Sequence, residues 1–153
     1  MTKTRALILG LAGAALVATS GFAQDANPAV TARKAQMQLY AFNLGTLGAM
    51  AKGDVEYNAE AAQAAAGNLV TLASLSAAAM WPAGTDDMSI EGTRALPTLW
   101  ESMPDVMTKA SALSEAAGAM AAAAGTDLAS LQAAMGPLGG ACGDCHKAYR
   151  APE

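Results

Sequence analysis

Past Gln24, this chain offers four long runs of helical periodicity and no run that alternates as a half-buried strand would, which leaves few folds open to it. Alanine dominates these runs. It is the best helix former, whereas the Val, Ile and Thr that favour strands are sparse beside it. The first run starts at Asn27-Pro28, an N-cap followed by proline at the first helical position, and stops at Lys52-Gly53. Val30, Met37, Leu44 and Leu47, with Ala41 and Gly48 between them, are expected on one face of it. The second run starts near Asn58, uses Ala62, Ala65, Leu69, Leu72 and Ala79 as its stripe, and is expected to reach Met80 before Trp81-Pro82 ends it. From Pro82 to Glu101 the glycines, prolines and aspartates read as one long connection, with a helical turn at Pro97 to Trp100. The third helix begins after Ser102, with Pro104 in its first turn and Asp105 placed for a capping box, and ends at Gly125. The fourth runs from Thr126-Asp127 towards Arg150, and Gly136-Pro137 is expected to bend or interrupt it. Four such helices joined by two short turns and one longer connection predict an all-α fold, an antiparallel up-down-up-down four-helix bundle closely packed on small residues.

The N-terminus has a separate character. Lys3 and Arg5 precede an apolar stretch from Ala6 to Val17, and Gly21-Phe22-Ala23 places small residues where a signal peptidase cuts. That stretch is about 12 residues, well short of the roughly 20 that span a bilayer. Residues 1–23 are therefore expected to be a cleaved secretory signal, and residues 24–153 one exported, periplasmic domain. Taking Lys3 and Arg5 from the nine basic residues leaves seven against 13 acidic ones, a net charge of −6. With no basic stripe, nucleic acid is an unsuitable partner, and no later segment is apolar enough to cross a membrane.

The chemistry is concentrated near the C-terminus. Cys142-Gly143-Asp144-Cys145-His146 is a Cys-x-x-Cys-His run, the spacing that attaches a c-type haem covalently. Two thiols three residues apart reach two vinyl groups of one porphyrin, and the adjacent histidine binds the iron from the proximal side. These are the only cysteines and the only histidine in the chain. A thioredoxin-like pair would follow a strand, and none is found. A zinc site would lack a fourth ligand. The remaining alternative is a haem-free bundle with a disulfide.

A haem-attachment run at the C-terminal end of a four-helix chain resembles the class II c-type cytochromes, the cytochrome c′ family and its low-spin relatives. Besides Cys142 to His146, the resemblance takes in Tyr149-Arg150, Arg33-Lys34-Ala35-Gln36-Met37, Lys52-Gly53 and Ala95-Leu96-Pro97-Thr98-Leu99-Trp100. It implies one haem c held between helices at one end of the bundle, with Cys142 and Cys145 as attachment points and His146 as the fifth ligand. It also implies that Arg33 and Arg150 lie in the propionate region, and that two copies pair through their first two helices as a homodimer.

The sixth ligand decides what such a haem does. With His146 the only histidine, a low-spin site needs methionine, and the bundle topology leaves Met37, Met80, Met88, Met103 and Met107 at the correct end. The resemblance favours Met37, four residues after Arg33, as the second axial ligand of a one-electron carrier serving redox partner proteins. The alternative is a five-coordinate, high-spin cytochrome c′ that binds NO or CO. Tyr40 and Phe42 are candidate walls of the pocket, or plain core or interface. No acid/base or nucleophile constellation is present, so the chain is expected not to be an enzyme.

Overall fold

A computed structural model describes residues 27–152, so the expected leader at 1–23 lies outside the described residues. Four long helices carry the fold: α1 (Pro28–Lys52), α2 (Ala59–Ser74), α4 (Met103–Ala123) and α5 (Leu128–Tyr149). A short α3 (Thr98–Glu101) and a 3₁₀ turn at Ala78–Met80 lie on the path from α2 to α4. No strand occurs among the described residues; one isolated antiparallel bridge joins Ala95 and Arg150.

Local chemistry fixes most helix ends. The Asn27 carboxamide accepts from the amides of Ala29 (3.0 Å) and Val30 (3.3 Å), and Gly53 ends α1 at φ +80°, which glycine adopts without strain. Asn58 caps α2 through the Ala61 amide at 2.8 Å, and Asp127 caps α5 through the Ser130 amide at 2.7 Å. At the turn between α4 and α5, Gly125 lies so close to Gln63 that a Cβ would stand 2.6 Å from its Oε1. The core runs from Leu47 and Met50 on α1 through Leu69 and Met120 to Leu131 and Leu138 on α5.

Three expectations are corrected, and of the bend or interruption expected at Pro137 the interruption is absent. The second helix ends at Ser74, not Met80. Its final carbonyls find other partners: Leu72 O accepts from Gln36 Nε2 at 2.9 Å, Thr71 O accepts from the Ser74 hydroxyl at 2.7 Å, and Leu75 is extended. The fourth helix is not interrupted, and α5 is continuous through Pro137. The hydrogen bond lost there is one of many, Leu131 and Leu138 hold the helix from either side, and the proline faces outward into a groove against Ala112 and Ala116. The buried face of α1 is Val30, Arg33, Gln36, Tyr40, Asn43, Leu47 and Met50, with Met37 off it and Leu44 only at its edge. Polar residues are tolerated there because they are bonded: Gln36 to Leu72 O, and Asn43 to Leu39 O and Asn68. Finally, Asp105 does not complete a capping box; its carboxylate accepts from Tyr149 instead.

Candidate haem site

The inward stripe of α5, with Leu131, Leu138 and Tyr149 buried, contains Cys142 and Cys145 at helical spacing. Both thiols are free and half-buried. Three residues apart on one helix, their Cβ atoms are neighbours at about 5–6 Å. Burial pushes both thiols up; for Cys145, Lys109 opposes that shift while Asp105 and Cys142 add to it. Tyr40 of α1 faces this stripe. Burial pushes its phenol up to about 12, with the Cys142 thiol adding to the effect.

His146 is half-buried, and burial lowers its pKa, with Arg150 and Arg94 reinforcing the shift. The shift favours the neutral imidazole, the form in which a ring nitrogen binds a metal. It lines a cavity of about 260 Å³ together with Arg94, Gly143, Lys147, Arg150, Ala151 and Pro152.

Bonds on two sides hold this end of α5 in place. The Leu96 amide donates to Tyr149 O at 3.0 Å and the Ala151 amide to Arg94 O at 2.8 Å, while Arg94 Nε and Nη2 donate back to Ala151 O at 2.9 and 2.6 Å. On the other side the Tyr149 hydroxyl donates to Asp105 Oδ2 at 2.6 Å, and Lys109 lies 3.3 Å from the same oxygen. The Tyr149 hydrogen bond holds the Asp105 carboxyl below the usual range, with Lys109 assisting.

The two arginines singled out from sequence are placed differently. Arg150 is exposed beside His146. Arg33 is only 3% exposed and is engaged by the chain between α2 and α4. Its Nη1 donates to Thr85 Oγ1 at 2.7 Å and Met80 O at 3.4 Å, and its Nη2 to Thr93 Oγ1 at 2.6 Å and to Thr85 O. The guanidinium lies over Trp81 at 4.7 Å and Trp100 at 5.9 Å, and Trp100 Nε1 donates to Trp81 O at 3.0 Å. Burial lowers the Arg33 pKa against the pull of Asp86. Met37, one turn further along α1, is 40% exposed. Phe42, a candidate wall, is 71% exposed and points away from the core, whereas Tyr40 is buried. Sequence reasoning missed Arg94, the Thr85 and Thr93 contacts and the Tyr149–Asp105 bond. The two tryptophans were the one available hint of a cluster around Arg33.

The donor set suits a covalently attached haem: two thiols on one face of an unbroken helix, with an imidazole one residue on. A family model described as Cytochrome C′ matches residues 28–150. The chain belongs to the cytochrome c′ family. Cytochrome c-554 of Cereibacter sphaeroides is 48% identical to it over 138 residues, covering 88% of this chain and 90% of its own. A cytochrome c′ of the same organism is 38% identical over 146 residues, covering 95% and 97%. Among solved structures, a cytochrome c′ from Rhodobacter Spheriodes matches with a TM-score of 0.80 and 37% identity, covering 82% of this chain and 97% of its own. Class II c-type cytochrome is therefore the correct description, and haem c is the cofactor of this cytochrome c′ family member, a c-type haem electron carrier. These relatives are cytochromes.

Proposed function

We propose that the chain is exported, loses residues 1–23 and serves in the periplasm as a one-electron carrier. Cys142 and Cys145 hold the haem c, His146 is the proximal iron ligand and Met37 the distal one. When bound, the haem supplies an iron that alternates between ferric and ferrous states.

The register of α1 against α5 carries this reading. Gln132 Nε2 donates to Ala51 O at 2.8 Å, a Cβ on Gly48 would stand 3.8 Å from Met135 Cε, and the Tyr40 phenol is near enough to Cys142 to feel its thiol electrostatically. The helices are antiparallel with equal rise, so each step back along α1 is met by a step forward along α5. Three residues before Tyr40, Met37 falls level with Cys145 and His146. Met50 and Met120 are sealed in the core and are not available. Arg33, fixed by its bonds to Thr85 and Thr93, holds the turn of α1 that precedes Met37. A thioether there is soft enough to bind both iron oxidation states, so little rearranges when an electron arrives.

The exposure of Met37 favours a second reading, the five-coordinate site open to NO or CO, because its side chain is 40% exposed and lies off the buried face of α1. Replacing Met37 with alanine separates the two. If Met37 is the ligand, the ferrous holoprotein gains CO binding that the wild type lacks. If both forms respond to CO alike, Met37 is not the ligand. Exposed Leu39 and Phe42 on α1 and Val70 on α2 also support pairing of two copies through the first two helices. Phe42→Ser should then raise the monomer fraction in sedimentation.

A further inference from the structure

We infer that Arg94 is a positioning residue for His146, gripping the chain just beyond α5 so that the imidazole keeps one orientation. The inference rests on His146 being the proximal ligand and is independent of the sixth one.

The last turns of α5 need an external hold. Pro137, Gly139, Gly140 and Gly143 all precede His146 on this helix, and proline and glycine are the two poorest helix formers. His146 lies in the final turn, where carbonyls run out of helical partners. Its own carbonyl accepts from the Arg150 amide at 3.0 Å, the bond that closes the helix. Whatever fixes Arg150 therefore steadies the peptide of His146. Arg150 is extended and forms the bridge to Ala95, and its two chain neighbours are bonded to the same segment. Tyr149 O accepts from the Leu96 amide at 3.0 Å. Ala151 is held by Arg94 on both its polar backbone groups: Arg94 O accepts from the Ala151 amide at 2.8 Å, and Arg94 Nε and Nη2 donate to Ala151 O at 2.9 and 2.6 Å. Two donors in a planar fork on one carbonyl fix direction as well as distance, which an ammonium group does not do. The gripping segment is itself anchored. Thr93 Oγ1 accepts from Arg33 Nη2 of α1 at 2.6 Å and from the Ala95 amide at 3.2 Å, and the Asp87 amide donates to Ala95 O at 2.9 Å. Neighbouring residues Thr93 and Arg94 thus tie α1 to the end of α5. Arg94 also lines the cavity beside His146, so its charge and its grip have to be separated. The orientation of a metal-binding imidazole is set largely by the groups that hold it from outside the metal's own ligands.

The test compares wild-type holoprotein with Arg94→Lys, which keeps the charge and loses the fork, and Arg94→Gln, which loses both. Native-state hydrogen exchange reads the grip: the amides of Arg150 and Ala151 should exchange about tenfold faster in both variants, while that of Leu131 keeps its rate. Paramagnetic proton NMR of the ferric holoprotein reads the imidazole, because the spread of the haem methyl shifts follows the orientation of the ligand ring. That spread should change in both variants. If Arg94→Lys keeps the wild-type spread and Arg94→Gln does not, charge alone is at work and the inference is overturned. Unchanged exchange overturns it, and so does faster exchange with unchanged methyl shifts, which would make Arg94 a structural tie only. Should Arg94→Gln fail to fold, Arg94→Lys decides by itself. His146 is the one histidine of the chain, so its ring protons can be assigned in the wild type. If they lack hyperfine shifts there, the ligand assignment falls and the inference with it; shifted ring protons with methyl shifts indifferent to Arg94 overturn the inference alone.

Discussion

Through the middle and far end of the bundle, Leu47, Leu69, Met120, Leu131 and Leu138 are completely buried, and Tyr57 closes the turns by donating to Ala124 O at 2.9 Å. At the other end the buried side chains include Arg33, Gln36, Thr85 and Asp86, while Cys142, Cys145 and His146 stay half-buried and Met37 is open. The first region is stabilised by burying its own apolar surface. The second is framed by directed polar bonds and keeps its reactive groups within reach of the surface. A bundle can therefore keep a stable scaffold and a receptive site in one small domain, because the two draw on different interactions.

The largest effect should come from the thiols. A chain with both Cys142→Ala and Cys145→Ala, produced with the haem-attachment machinery, should carry no haem through denaturation in mass spectrometry, yet keep its helical circular dichroism. Retained covalent haem would contradict the site. At the opposite pole, Leu131→Ala should cost about 2–5 kcal/mol of stability in denaturant unfolding and leave the haem bands of the folded protein in place; a shifted spectrum would break the separation of the two regions. Arg33→Lys keeps the charge but loses the fork that serves Thr85 and Thr93, and should cost about 1–3 kcal/mol. Hydrogen exchange should then quicken at residues 82–97 and not in α5; unchanged exchange would show that Arg33 does not hold that segment.

The smallest effect concerns pH. Tyr149 holds Asp105 below the ordinary carboxylate range, so this carboxylate adds stability above its unfolded pKa of about 3.9. That contribution is lost as the pH falls through its lower folded value. Tyr149→Phe brings the folded value closer to the unfolded one, with Lys109 still lowering it, and the decline of Tm on the acid side should become shallower. A variant with the wild-type acid slope would show that the bond contributes nothing.

Local signals made much of this legible. Asn27, Gly53, Asn58 and Asp127 act where they stand, and the Cys142 to His146 spacing carries its chemistry along a single helix. What escaped was decided across the chain. The end of α2 depends on Gln36 of α1, 36 residues away, taking the Leu72 carbonyl. The burial of Arg33 depends on Thr85 and Thr93, which no helical period relates to it. Met37 fell outside the buried stripe because three polar residues with distant or neighbouring partners occupied it. Pro137 is held in a helix that its ring alone would disfavour, because Leu131 and Leu138 are packed on either side.

The visible spectrum of the ferrous holoprotein, recorded before and after adding CO, tests the assignment of Met37 opposite His146 most directly. The account predicts sharp α and β bands that CO leaves unchanged. A broad high-spin spectrum that shifts promptly under CO would contradict it.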